Sequence, residues 1–383
     1  MVGIPLGPLK ICQIVPSLEA RHGGPSKSVL CLATSLARLG HQVDLLATRP
    51  EAGTGLEAEA SLRVMRFGRD RPAFLCASAG LREHLRQHSY DCVHHHALWL
   101  RTLHYARRAA QASGSRLVVS PRGMMGDWSW RHHRWRKWLA ARWIHPGALR
   151  GAAGWHATSA AEAGDIRRRG FAQPVCVAPN GVAAPTPDEV THAHEAWCEL
   201  VPAVTTRPVA LFYSRFHRKK RVLELIDLWI ASAPKAWLLL VAGIPQEFTV
   251  AGLAAHVAAR SAGERVAVVD GRDRPPPYGA ASLFLLPSHE ENFGLVVAEA
   301  MAWGLPVVVT DTMPWADVAR EEVGWSVPWS RYGEALGQAL MEAPERLEQR
   351  GARARDWVLA RYSWEHAARE LAAFYEQLRT GTG

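Results

Sequence analysis

The chain has 383 residues, too many for one ordinary core, and its length favours two domains of about 150–200 residues. A composition with 48% hydrophobic and 21% charged residues excludes wholesale disorder, and no apolar run approaches the roughly 18 residues of a membrane helix. The net charge is +9 and 39 of the 45 basic residues are arginine, which points to an anionic partner: nucleic acid, anionic lipid or a phosphorylated small molecule.

The N-terminus does not read as a secretory signal, because Pro5, Pro8, Lys10 and Pro16 interrupt its apolar core. Residues 9–15 form a short β-rich run, and 26–39 then place apolar residues at helical spacing up to Gly40. Between them, Gly23-Gly24 precedes the helix with Ser26 as an expected N-cap. Glycines there let backbone N–H groups approach an anion; a plain tight turn is the alternative. Cys12, Cys31, Cys76, Cys92, Cys176 and Cys198 lack any C-x-x-C pairing, so they read as buried thiols of a cytoplasmic protein.

Further strands are predicted at 41–47, 62–67, 90–94, 116–120, 154–158 and 174–177. His94, His95 and His96 end one of them. Successive strand side chains alternate faces, so the three cannot converge on one metal ion, and His96 is the candidate for a polar substrate contact or a satisfied core histidine. Arg122 and Gly123 follow the next strand, where an arginine either faces a ligand or is merely superficial. Asp127 to Trp143 interleaves five of the sixteen tryptophans with arginines, a lysine and two histidines. Read as one basic helix with large aromatics, it suits an in-plane contact with an anionic membrane surface; packing inside its own domain is the alternative.

Turn signals at Asn180-Gly181, Pro185, Pro187, Pro202 and Pro208 suggest the domain boundary. The expected organisation is an N-terminal acceptor-side domain at 1–190, a linker at 191–207, a second domain at 208–362 and a C-terminal helix at 363–383 packing back on the first. The second half restarts at 209–214 and continues with strands at 236–243, 265–271, 282–288 and 305–311. Continuous Val/Leu runs separated by helices indicate parallel strands buried on both faces: an α/β chain with two doubly wound, Rossmann-like domains facing a central cleft. In such sheets ligands sit beyond the carboxyl ends of the strands.

Arg215 lies at such an end, with Lys219 and Lys220 opening the next helix. A planar bidentate donor beside a mobile point charge suits the two phosphates of a diphosphate. The segment 287–311, PSHEENFGLVVAEAMAWGLPVVVTD, sets Glu291 and Glu299 eight residues apart, about 12 Å along a helix. That is too far for one metal or a close carboxylate pair, but it suits two hydroxyl-rich ends of an extended ligand. Backbone N–H groups near Asn292 to Leu295 would point at its central anion.

These residues resemble the retaining glycosyltransferases of family 4, which have the GT-B fold. The resemblance rests on Glu291 and Glu299 with the PSHEENFG lead-in, the Gly23-Gly24 loop, Arg215 with Lys220, HATSAAEAGDI at 156–166 and APNGV at 178–182. It spans nearly the whole chain, and SPRGMM is similar to a subgroup associated with cell-surface polysaccharide or lipopolysaccharide assembly. The resemblance implies that Arg215 and Lys220, rather than Lys219, hold the diphosphate of a nucleotide-sugar donor. It implies that Glu299 binds the ribose and Glu291 the donor sugar, and that Asn292, Phe293, Gly294 and Leu295 give backbone contacts. Gly23 and Gly24 approach the phosphates; His96, Arg122 and Asn180 are the acceptor-side candidates. Many relatives carry histidine where this chain has Arg122, and glycine where it has Asn292. The implied activity is sugar transfer to a glycan or lipid-linked acceptor with retention, without a metal or other cofactor, and there is no D-x-D motif. The competing readings are a GT-B nucleotide-sugar epimerase and a basic nucleic-acid-binding protein. For the latter no RNP, zinc-finger or helix-turn-helix signature is present, so nucleic acid is not an expected partner.

Overall fold

The computed structural model describes residues 7–18, 24–49, 62–131 and 134–381. The chain divides into two compact units, 1–181 with 363–383 and 182–362.

The first unit holds seven strands: β1 Lys10–Val15, β2 Gln42–Arg49, β3 Arg63–Gly68, β4 Cys92–His96, β5 Arg116–Ser120, β6 Gly154–Ala157 and β7 Val175–Val177. They pair in parallel in the order β3-β2-β1-β4-β5-β6-β7. The strand order reverses between β1 and β4, the position where doubly wound sheets take ligands. The helix Gly24–Arg38 follows β1 and lays Val29, Leu32, Ala33 and Leu36 on the sheet. Ser26 is inside this helix rather than its N-cap, and its hydroxyl donates to the Ser17 carbonyl (2.8 Å). The C-terminal helix Trp364–Thr380 packs against it, burying Ala367, Ala368, Leu371, Phe374 and Tyr375. Cys12, Cys76 and Cys92 are buried free thiols, whereas Cys31, Cys176 and Cys198 are only partly covered.

The second unit holds β8 Val209–Phe216, β9 Leu238–Pro245, β10 Val266–Asp270, β11 Leu283–Leu286, β12 Val307–Thr310 and β13 Gly324–Val327. Their order is β10-β9-β8-β11-β12-β13, all parallel, with the reversal between β8 and β11. The edge strand β13 goes unpredicted: its sequence, GWSV, carries no apolar run.

The stretch expected as a linker, 191–207, is instead helical and belongs to the second unit, as do residues 182–190. Thr186 and Glu189 form a reciprocal capping box for the helix Pro187–Leu200, with Pro187 in its first turn. Pro202 opens a 3₁₀ turn, Pro202–Thr205. Trp197 is buried in the second unit's core, its indole N–H donating to the Pro275 carbonyl (2.9 Å). These prolines start helices, where a missing N–H costs nothing, so the same residues that suggest a linker mark ordered structure.

Candidate functional site

In the second unit the site grows from the ends of β8 and β11, the two strands flanking the reversal. Arg215 is the penultimate residue of β8 and is exposed. The 3₁₀ turn Arg218–Lys220 follows, fixed by the Lys219 N–H on His217 Nδ1 (3.0 Å) and the Lys220 N–H on the His217 carbonyl (2.8 Å). It turns the two lysines apart. Lys220 is 6% exposed and its ammonium meets the Glu291 carboxylate, which also accepts from the Ser288 hydroxyl (3.1 Å). Lys219 pairs with Glu290 (3.3 Å). Burial, with Arg215 and Lys219 alongside, lowers the Lys220 pKa.

The loop after β11 is braced from β12: Thr310 and Thr312 hydroxyls donate to the Ser288 carbonyl (2.6 and 2.9 Å), and the His289 N–H donates to the Lys219 carbonyl (2.8 Å). The loop ends at Gly294, whose φ of +77° sits in the left-handed region that glycine tolerates best. A Cβ there would also lie 3.1 Å from Trp315 Nε1. That indole N–H donates to the Phe293 carbonyl (2.6 Å), and the Phe293 ring packs on Trp315 and Tyr362. Phe293 is therefore held inward by both its ring and its carbonyl. The helix Leu295–Ala302 starts here, so Glu299 is helical while Glu291 lies ahead of the cap, and the straight helical rise assumed between them does not apply. Glu299 accepts from the buried Tyr278 hydroxyl (2.9 Å). Burial and this carboxylate raise the Tyr278 pKa, which keeps it a donor. Ser288 falls within the PSHEENFG lead-in without a role read for it, whereas Tyr278, Thr310, Thr312 and Trp315 carry no chemical motif in the sequence.

In the first unit His96 is the last residue of β4 and is buried beside the β1/β4 reversal. Its Nε2–H donates to Gln13 Oε1 on β1 (3.1 Å), leaving Nδ1 to accept from Arg122 Nη2 (3.1 Å). Arg122 Nη1 donates to Asn180 Oδ1 (2.8 Å). The structure thus joins His96, Arg122 and Asn180 in one chain of hydrogen bonds. Arg122 adopts φ +52°, followed by Gly123 at +79°, and the buried Glu162 carboxylate holds this turn through the Gly123 N–H (2.6 Å) and the Thr158 N–H (2.8 Å). Burial pushes the Arg122 pKa down to about 10, which still leaves it charged at neutral pH. Gly24 begins the helix after β1, and Gly23 lies outside the described residues.

His156 on β6 completes a buried group with His94 and His96, their ring nitrogens within 4.8 Å of one another. His94 Nδ1 pairs with the Tyr375 hydroxyl (2.6 Å), and His156 Nε2–H donates to the Ala178 carbonyl (2.9 Å). The Arg122 guanidinium on His96 opposes a divalent cation at this place, and the set reads as a neutral, hydrogen-bonded core. Burial pushes the His156 pKa down to about 3 and lowers those of His94 and His96.

Of the segment expected as one helix, 127–143, the described residues are helical over Asp127–Arg131 and over Arg134–Leu139, which runs on into a π turn, Ala140–Ile144, while 132–133 lie outside the described residues. Trp130 packs on Trp99 (ring centroids 5.6 Å), whereas Trp135, Trp138 and Trp143 are 62%, 65% and 66% exposed. Among the described residues no helix is long and apolar enough to cross a membrane.

Comparison with known proteins agrees with the two-unit architecture. Residues 23–181 match the family described as Glycosyl transferase 4-like domain, and 207–344 match Glycosyl transferases group 1. Alpha-maltose-1-phosphate synthase of Mycolicibacterium smegmatis is 28% identical over 51% of this chain and 53% of its own length. GDP-mannose:cellobiosyl-diphosphopolyprenol alpha-mannosyltransferase of Komagataeibacter xylinus is 27% identical over 45% and 46%. The match thus spans about half the length of these curated relatives. D-inositol 3-phosphate glycosyltransferase of Xylanimonas cellulosilytica, 28% identical, is matched over 93% of this chain and 92% of its own. Among solved structures, sucrose-phosphate synthase from Thermosynechococcus elongatus superposes with a TM-score of 0.76 at 21% identity, covering 97% of this chain and 100% of that one. Anabaena HepE in complex with UDP and glucose gives 0.72 at 17% identity, covering 96% and 100%. With both domain types matched in chain order on two parallel Rossmann-like sheets, the chain belongs to the family 4 glycosyltransferases of GT-B fold.

Proposed function

We propose that the protein is a retaining, metal-independent glycosyltransferase that moves a sugar from a nucleotide-diphosphate sugar to a glycan or lipid-linked acceptor in cell-surface polysaccharide or lipopolysaccharide assembly. The observation that carries this reading is the buried Lys220–Glu291 pair beside Arg215, at the reversal between β8 and β11. Breaking the anomeric bond develops negative charge on the departing diphosphate. Arg215 and Lys220 supply fixed positive charge where it grows, and the first-turn N–H groups of Leu295–Ala302 add the helix-end dipole. Glu299, steadied by Tyr278, accepts from the ribose hydroxyls, and Glu291 accepts from the donor sugar. The leaving phosphate takes the acceptor's proton, so the bond forms on the face from which the nucleotide departs. Acceptor contacts are assigned to Arg122, Asn180 and His96 in the first unit.

The exposed Trp135, Trp138 and Trp143, with Arg136 and Arg142 beside them, support a second element of the reading: peripheral attachment to an anionic membrane on the cytoplasmic side.

Thermal-shift screening against UDP-, GDP- and ADP-sugars identifies the donor, and NMR of the product then reads its anomeric configuration. An inverted product overturns retention. Activity lost in EDTA and restored by magnesium overturns metal independence. Epimerised donor sugar formed without acceptor assigns the site to an epimerase instead.

A further inference from the structure

Behind the exposed tryptophans the first unit contains a cavity of about 370 Å³ that the transfer reaction does not use. Its size falls in the range of small-molecule sites. Trp99, Trp130, Trp138, Leu149 and Phe171 form apolar walls, and Lys137, Arg150 and Arg169 bring three cations; Arg169 also pairs with Asp127 (2.5 Å) and Lys137 also donates to the Ser129 carbonyl, and among the described lining residues there is no carboxylate. Two buried polar groups at the wall are unsatisfied. Among the described residues the His145 side chain, 1% exposed, makes no hydrogen bond to another residue through either ring nitrogen, and the Trp99 indole N–H makes none either. Buried polar groups are normally paired, so two orphaned groups at one cavity call for a ligand with oxygen acceptors. The backbone reinforces the point, because Trp99 is held at φ +65°, an uncommon conformation for a bulky residue, with its ring 5.7 Å from that of His145.

Apolar walls alone would suit any hydrocarbon, and cations alone any anion. Aromatic walls, three cations and neutral donors together suit an amphiphile. We infer that this cavity binds a lipid phosphate, its oxygens accepting from Trp99, His145 and the three cations while its chain lies along Trp130, Trp138, Leu149 and Phe171. The neighbouring Trp135 and Trp143 form the exposed face through which the chain would leave a membrane. The inference deepens the membrane reading above and rests on it for the lipid's source, but the cavity's chemistry is testable without a membrane.

Calorimetric titration with monomeric n-decyl phosphate, below its micelle concentration, tests it against decanol and inorganic phosphate. Decyl phosphate should bind at least tenfold more tightly than either. Ala141→Phe, which fills the cavity from a partly exposed position, should weaken binding at least tenfold, as should Lys137→Gln combined with Arg150→Gln. Trp143→Ala, outside the cavity, should leave decyl phosphate binding within twofold while reducing recovery on anionic vesicles. Equal binding of decanol, equal binding of inorganic phosphate, or full affinity in both cavity variants overturns the inference. So does a concentration-dependent dimer dispersed by Ala141→Phe, which would give the cavity to a second copy. Unsubstituted protein that binds decyl phosphate but is not recovered on anionic vesicles sinks the membrane reading alone.

Discussion

Lys219 and Lys220 are adjacent in sequence and paired with different glutamates, Glu290 and Glu291. Only Lys220 is buried at the β8/β11 reversal, so the two should behave differently in kinetics. Lys220→Ala should lower turnover more than donor affinity, since charge grows on the diphosphate only as the bond breaks, at a cost of about 2–4 kcal/mol in transition-state stabilisation. Lys219→Ala should change kcat by only a few-fold; steady-state kinetics of the pair decides, and a reversed order would place the diphosphate on Lys219. Glu299 offers a second residue-scale test. Glu299→Ala should weaken donor binding chiefly through the ribose, and Tyr278→Phe, which removes only the hydroxyl holding Glu299, should do so by about 1 kcal/mol. Isothermal titration with the matching nucleotide reads both, and unchanged affinity in Glu299→Ala would remove that residue from the site.

At the scale of elements, long Val/Leu runs make the sheet legible because a parallel strand buried on both faces must be apolar throughout. Strands β8, β9, β11 and β12 follow directly from that. The short edge strand β13 does not, since Gly324 and Ser326 interrupt its pattern. Chemistry-bearing residues at strand ends were readable because spacing and charge mark them, while their supports were not. Thr310 and Thr312 look like ordinary strand and turn residues until three-dimensional pairing sets their hydroxyls on the Ser288 carbonyl, beneath Glu291. His156 is separated from His94 by 62 positions, and only the β4-β5-β6 order brings the two together. Gly294 is the element-scale position with the sharpest consequence. It holds a left-handed angle and faces Trp315, so Gly294→Ala should cost roughly 1–2 kcal/mol from the backbone alone. A lowered Tm with the nucleotide present and absent checks this; an unchanged Tm would mean that the loop relaxes around a side chain.

At the scale of the whole molecule the two units differ in what they bury. Among the described residues the first unit encloses His94, His95, His96, His145 and His156, whereas no histidine of the second unit is buried. Each of the five is held as the neutral base, with burial the leading cause: His95 and His156 are pushed down to about 3, His145 to about 4, and His94 and His96 are lowered as well. In the unfolded chain the same rings take up protons near pH 6.5. Between that value and the depressed folded values the unfolded state binds more protons, so stability rises with pH through this window. Their contribution is complete above about pH 6.5 and is lost progressively as the pH falls toward about 3. Carboxyl groups in an unfolded chain take up protons near pH 4, at the bottom of the window, so the difference between units should be clearest from about pH 6.5 to 5. Hydrogen exchange of the full chain at pH 7.5 and at pH 5.5, corrected for the intrinsic rate, should show protection falling in β4, β5 and β6 while β8, β11 and β12 hold theirs. Equal loss in both sheets would mean that the units unfold as one, and unchanged protection in β4 would mean that its histidines are charged in the fold.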